Sequence, residues 1–491
     1  MNRSNVSPLK TLMLVVIVLS MFPSCATKMS IEQAKQVSVS MADVPTFVPP
    51  PRRIDDILEI LNQPGQFDKS ITEKFRARAD DVAPENADGK FFDDRGFAAA
   101  ELGRPLQALE DYREAMRRSE QAGIHNPNLM RRLATRERGL GNFNLAVELL
   151  EESLSLSESP ATYGRLLETY IQMGSLEKAT QTLKKARLFC TTSPNRRNTN
   201  FVLRCDIETA AMEAFLLEAQ AKYAEAEKPF RQHLALLQTV KDEHPGQLIN
   251  ARLQLADNLL KQERLIEAEI EARQTLKDSL GHAGKDSLMT AGITAKIADI
   301  LRGQGRLSEA DKLASRAIRI LESSGIPGDA QRMGGTRMLL GSIKATKGDF
   351  TGAMEQFTLA TEGVNENQYL YKKRFLGNPN YILSLVMTGQ PEKAIKITTR
   401  SYETAKQRFG EKHYATAQRL ALRGMAHHRM KNHKDAVRDL SQATDILISY
   451  QTEKGDYSKT MRLRIVLDDY INLLGEIHNT PLEKELGMDA A

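Results

Sequence analysis

Apolar residues along this chain fall at three- and four-residue spacing over most of its length, the pattern of helices that bury one face. The stretch GDFTGAMEQFTLA, starting at Gly348, shows the unit. Gly is followed by an aromatic residue two positions later, Ala three after that, an aromatic four further on, and Ala after three more. The same grid returns at Gly103 with Ala108, Tyr112 and Ala115, and at Gly141 with Phe143, Ala146 and Leu150. It returns again at Gly174 with Leu176, Ala179, Leu183 and Ala186, and at Gly305 with Leu307, Ala310, Ala314 and Ala317. Weaker copies centre on Ala226, Ala268, Ala394 and Ala436. A glycine at that point ends one helix in a conformation that a Cβ opposes, and the small alanine lets the next helix pack closely against it. The pattern predicts an all-α chain built as a stack of helical hairpins.

Nine copies in register resemble the tetratricopeptide repeat over about residues 92 to 450. Between key alanines the spacing is 38 (Ala108 to Ala146), 33 (to Ala179), then 42 (Ala226 to Ala268), 42, 43, 41 and 42 on to Ala436. The longer period resembles the variant seen in kinesin light chain and in bacterial signalling proteins. The segments DEHPG (242–246) and GEKHYATA (410–417) resemble the links of those repeats. The resemblance implies a right-handed superhelical α-solenoid of about nine hairpins with a C-terminal capping helix. It also implies a protein or peptide partner, held in a concave groove lined by the first helix of each hairpin. Carrying the register over places Arg131, Arg138, Glu168, Phe215, Glu218, Asp257, Asp299, Arg302, His428 and Arg429 in that groove. The Lys and Asn slots of the family's carboxylate clamp hold other residues, which disfavours an acidic C-terminal tail of that type.

The flanks divide the chain further. Residues 1–26 read as an export signal: Arg3 and Lys10, then the apolar run TLMLVVIVLSMF, then the small residues of PSCATK. That run is short for a membrane span. Two processing readings stay open: cleavage after Ala26, or a lipoprotein box in which Cys25 takes a lipid that would attach the chain to a membrane. Either places the mature chain in the bacterial periplasm or envelope. Residues 27–51 contain VPTFVPPP, an extended tether. Residues 52–91 hold the amphipathic RRIDDILEILNQ and the loop APENADGK, 92–450 the repeats, and 451–491 a final helix and tail. In that helix Leu463, Val466, Leu467, Tyr470, Leu473 and Leu474 form an apolar stripe, with Arg462, Asp468, Asp469 and Asn472 outside it. A solenoid needs such a cap over its last apolar face. The order of parts also resembles the N-terminal region of bacterial CHAT proteins, caspase-like peptidases preceded by repeats. Under that alternative these residues are a sensor whose catalytic domain is absent from this chain.

Composition narrows function rather than fold. Net charge is +5, two of those charges lie in the first 24 residues, and no basic run interleaved with aromatics occurs, so nucleic acid is not an expected partner. No HExxH, GxSxG or Gly-rich loop followed by Lys-Ser/Thr is present, and neither catalysis nor a cofactor is expected. Apart from Cys25 the cysteines are Cys190 and Cys205, which form either a disulfide across TTSPNRRNTN or two buried thiols. HHRMKNH, residues 427–433, is the one stretch that suggests metal. On the grid His427 takes the slot of an inward Tyr or Leu and His433 that of the turn aromatic, both packing roles. His428 alone falls on the groove side.

Overall fold

Among the described residues, the position five before a key alanine passes through positive φ in eight copies. The computed structural model describes residues 53–62, 70–102, 104–240, 245–326, 331–362, 368–450 and 456–486. The export signal, Cys25, the tether, Gly103, residues 242–244 and the last residues of the tail lie outside these. Gly141, Gly174, Gly305, Gly348 and Gly389 have φ of +89°, +79°, +79°, +86° and +78°. Three of the four weaker copies make the same turn without glycine, at Ala221 (φ 61°), Glu263 (60°) and Lys431 (60°). They look weak only because an L side chain tolerates a left-handed torsion at a cost of about 1–2 kcal/mol.

The helix after each turn packs without clearance. All nine key alanines are 0% exposed: Ala108, Ala146, Ala179, Ala226, Ala268, Ala310, Ala353, Ala394 and Ala436. On the preceding helix the facing slot is equally small. A Cβ on Gly424 would stand 2.8 Å from Leu440, and one on Gly341 2.6 Å from the Phe357 ring.

After α1 (Asp55–Asn62) and α2 (Ser70–Ala79), the hairpins follow in order. They are α3/α4 (Gly89–Glu101, Pro105–Gln121), α5/α6 (Pro127–Leu140, Phe143–Leu156) and α7/α8 (Pro160–Met173, Leu176–Thr192). Next come α9/α10 (Thr199–Ala219, Tyr223–Gln238), α11/α12 (Pro245–Lys261, Leu265–Ala283) and α13/α14 (Leu288–Gly303, Leu307–Ser323). Then α15/α16 (Gln331–Thr346, Phe350–Thr361) is followed by the short α17 (Gln368–Tyr371). The hairpins α18/α19 (Pro379–Met387, Pro391–Phe409) and α20/α21 (Tyr414–Arg429, His433–Ser449) lead to α22 (Tyr457–Ile477) and α23 (Pro481–Glu485). Several first helices start on an asparagine cap: Asn126, Asn198 and Asn378 each accept two backbone N–H bonds. The buried apolar residues form one seam along the stack, in three consecutive stretches.

First helices of distant hairpins approach one another, which makes theirs the inner face. Arg332 of α15 feels the charges of Glu101 on α3 and Arg136 on α5. Tyr369 of α17 sets its ring edge-on to Phe143, with centroids 5.0 Å apart, and its hydroxyl donates to Gln172 at 3.4 Å. The outer face, made by second helices, carries α1. Ile54, Ile57 and Leu61 join the middle stretch of the core. Glu309 accepts from the Ile54 N–H at 3.0 Å, and Arg273 pairs with Asp56 at 2.7 Å. The short amphipathic helix of RRIDDILEILNQ, α1, is thus a clasp on α12 and α14. Between α8 and α9, Cys190 and Cys205 are bonded, with Cα atoms 5.8 Å apart.

The turn torsion is testable alone at two sites. Nothing lies within 4 Å of a Cβ placed on Gly174, so Gly174→Ala should lower stability by about 1 kcal/mol through the torsion. Lys431→Gly relieves the same torsion and should raise it by about 0.5 kcal/mol, the loosened unfolded chain taking back part of the gain. Urea midpoints at unchanged slope measure both; shifts of the same sign would refute a common turn geometry.

Candidate partner-binding face

The inner face is built of charges that hold one another from hairpin to hairpin. Arg138 of α5 reaches Glu168 of α7 at 2.5 Å, and Arg165 donates to the other oxygen of Glu168 at 2.8 Å. Lys261 of α11 spans back to Glu218 of α9 at 2.5 Å and also meets Asp257 at 2.9 Å. Lys296 of α13 donates to Asp257 at 2.5 Å, and Asp299 holds Arg302 at 2.8 Å. Sequence register found the acids Glu168, Glu218, Asp257 and Asp299 but not the cations Arg165, Lys261 and Lys296. A signal for two of them existed: Lys261 lies 43 residues after Glu218 and Lys296 lies 39 after Asp257, each about one repeat.

Burial alone would raise the Asp257 carboxyl, but Lys296 and Lys261 outweigh it and hold the pKa at about 2. Burial lowers the Lys296 ammonium, but the Asp257 and Asp299 carboxylates together outweigh it and leave the pKa raised. Glu208 of α9 was missed by the sequence reading. Burial raises its pKa against the opposing pull of Arg165, and its carboxylate lies 3.1 Å from where a Cβ on Gly164 would stand. Arg131 shares that neighbourhood, its pKa lowered first by burial and then by Arg165. Phe215 departs from its expected place in the groove. Its ring packs edge-on to Phe230 of α10 at 5.6 Å, because the hairpin interior needs the apolar area more than the groove does.

His428 and Arg429 are also placed differently from the expectation of an open groove position. His428 is 6% exposed, with Nδ1 3.1 Å from Asp469 and Nε2 3.3 Å from Glu476, both on α22. Arg429 donates to Asp469 at 2.5 Å. Asp469 itself, expected on the polar outer side of the last helix, is buried. The reason is that α22 covers two surfaces at once. Val466, Leu473 and Ile477 close the apolar seam of the last hairpin, while the adjoining side lies against first helices. His433 Nε2 is 3.7 Å from Glu476, and burial lowers the pKa of half-buried His427. Among the described residues no group of three or more His, Cys, Asp or Glu is arranged to hold a metal ion.

The start of α22 crosses the inner face farther back. Ser458 accepts from Arg302, Lys459 pairs with Glu263, and Arg462 donates to Asn380 at 3.0 Å. Beneath it a cleft of about 430 Å³ opens between α13, α15, α18 and α22, with Asp299, Arg302, Ser342, Asn378 and Asn380 on its walls.

The linked charges predict a pH dependence. Asp257 has a depressed pKa, so its stabilisation is complete above the ordinary value of 3.8 and fades as pH falls toward about 2. Linkage sets a ceiling of about 2 kcal/mol, and solvent screening of a side chain one-third exposed leaves about 1. Asp257→Asn should therefore trail the parent by about 1 kcal/mol at pH 7 in urea titrations, and the gap should narrow below pH 4. A gap independent of pH would mean that the pair contributes shape rather than charge.

Comparison with known proteins returns one family model, described as tetratricopeptide repeat, over residues 378–449. No curated protein matches. Among solved structures, a Rap protein complexed with Competence and Sporulation Factor aligns with a TM-score of 0.45 and 12% identity, over 76% of this chain and 98% of that one. The apo quorum sensor NprR from B. thuringiensis gives 0.41 and 14%, over 60% and 81%. Kinesin light chain-like repeats from Podosopora anserina give 0.33 and 14%, over 42% and 97%. Residues 378–449, which hold the last two hairpins, thus match tetratricopeptide repeats, and the same left-handed turn, buried alanine and helix pairing recur through the rest of the described solenoid.

Proposed function

We propose that this chain is an exported tetratricopeptide scaffold that binds a protein or peptide partner on the inner face and carries out no chemistry of its own. One observation carries the reading. The inner-face charges pair with each other rather than with second helices, and still meet solvent: Arg165 is 47% and Lys261 37% exposed. A partner approaching this face finds cations already oriented by carboxylates, an arrangement that favours specific, salt-sensitive contacts over bulk affinity. Export is supported by the signal-like pattern of residues 1–26 and suits the Cys190–Cys205 bridge, since disulfides persist in oxidising compartments. Lipidation of Cys25 is the membrane-attached form of the same proposal. The CHAT-type sensor alternative draws its extra support from the two flanking helices, whose packing onto the repeats suits a solenoid in either reading.

A photo-crosslinking residue in place of Arg165 should trap a discrete partner in envelope extracts. The same residue in place of Leu188, exposed on second helix α8, should not. Trapping at Leu188 alone would move the binding surface to the outer face, and higher salt should reduce only the inner adduct.

A further inference from the structure

The two halves of α22 are held by different kinds of contact. From Val466 onward Val466, Leu473 and Ile477 are buried in the core of the last hairpin. Over residues 457–463 the only fully buried side chain is that of Ser458. This first half is held by polar groups on the inner face: Arg302 to the Ser458 hydroxyl, Glu263 to Lys459, and Asn380 to Arg462. Tyr457 lies over the α13–α14 turn, its ring 2.9 Å from where a Cβ on Gly305 would stand. The Lys459–Glu263 pair is partly exposed, and polar contacts of all three kinds can be exchanged for equivalent ones offered by a ligand, whereas buried apolar area has no such substitute. The first half can therefore lift while the second stays anchored.

What lies beneath has the chemistry of a peptide site. Asn380 carries an amide that both donates and accepts, as a peptide backbone requires, and beside it Asn378 caps α18 and donates to the Ser342 hydroxyl of α15 at 3.2 Å. Arg302 faces the Asp456 carboxylate and the Ser458 hydroxyl, the former lowered in pKa partly by that guanidinium although burial acts against it. In this arrangement Asp456 and Ser458 present to the cleft a carboxylate and a hydroxyl.

We propose that the first two turns of α22 are a ligand in cis, a latch that roofs the inner-face cleft of α13, α15 and α18 until a partner segment with an acidic residue and a neighbouring hydroxyl displaces it. The proposal rests on the inner face being the partner-binding surface and adds how that surface is gated and what it selects. It differs from a plain cap, for which the first half of α22 would need no specific partners on α13 and α18. The partner's carboxylate takes the place of Asp456 at Arg302, and its backbone meets Asn380.

The test uses the full chain and a fluorescein-labelled peptide of residues 454–463, KGDYSKTMRL. Tyr457→Ala with Lys459→Glu loosens the latch and leaves every residue of α13, α15 and α18 unchanged. The loosened protein should bind the peptide at least tenfold more tightly than the parent, and adding Arg302→Ala should remove that binding. Equal affinity in parent and loosened protein would overturn the proposal, as would absence of binding by a loosened protein with unchanged helical circular dichroism, or binding that survives Arg302→Ala. Hydrogen exchange on the unaltered chain gives a second reading that no variant can spoil. Amides of residues 457–464 should exchange at least tenfold faster than those of 466–477, and equal protection would mean that no latch opens. Crosslinking at Arg165 probes the inner face several hairpins away, so a failed latch and a failed partner-binding face give different results.

Discussion

The close approach of the two helices of each hairpin, made possible by the fully buried key alanine on one and a small residue such as Gly341 or Gly424 on the other, is the constraint on which the rest of this chain depends. With Ala353 or Ala436 fully covered and Gly341 or Gly424 opposite, two helices approach as closely as backbones allow. The left-handed residue five positions earlier sets the direction of return. Distance and direction together leave one way to stack hairpins, first helix on first helix. Charged residues on first helices then divide between two neighbours: Arg95, Arg252 and Arg423 pair with the second helix of their own hairpin, while Arg138–Glu168 and Asp257–Lys296 join adjacent hairpins along the inner face.

That logic also divides what the sequence makes legible from what it hides. The repeat grid is local: Gly, aromatic and alanine lie within a dozen residues, and each reports a steric demand that few side chains satisfy. Hairpins and their boundaries could be read from it, even where Ala221, Glu263 and Lys431 replace glycine. Flanking helices offer no such demand. An amphipathic stripe in RRIDDILEILNQ says that one face is buried, not that the surface burying it belongs to α12 and α14, more than 200 residues onward. The inner-face acids were likewise legible by register, while their cations were not, since a lysine one repeat away looks solvated until the stack brings it back. Phe215 shows the opposite error: register put it toward the groove, and the larger free energy of burying an aromatic ring drew it against Phe230.

The histidines of HHRMKNH follow from packing, as the grid implied for His427 and His433, and His428 owes its burial to an element outside the grid. Its two ring nitrogens meet two carboxylates of α22, Asp469 and Glu476, about two turns apart on the same helical side. Buried charge on Asp469 is tolerable because Arg429 and His428 both answer it. A helix that served only to shield the last hairpin would present apolar residues there. The polar contacts mark α22 as fitted to the inner face as well as to the end of the seam.

Such a double fit has a thermodynamic consequence. The end of a solenoid must be covered or it frays, and each hairpin borrows stability from its neighbour. Here the element that covers the end also lies in the groove, so groove occupancy and terminal stability belong to one equilibrium. Whatever lifts the first half of α22 loses the contacts to Arg302, Glu263 and Asn380 and must replace them in kind. Whatever strengthens the packing of Val466, Leu473 and Ile477 on α20 and α21 leaves those polar contacts untouched, because the two sets lie on different turns of the helix. The anchor therefore keeps the latch near its cleft at high effective concentration, and a partner has to outcompete a tethered rival rather than an empty site. Selectivity follows from that competition more than from affinity: segments lacking the carboxylate or the backbone match gain nothing to offset the cis contacts they would break.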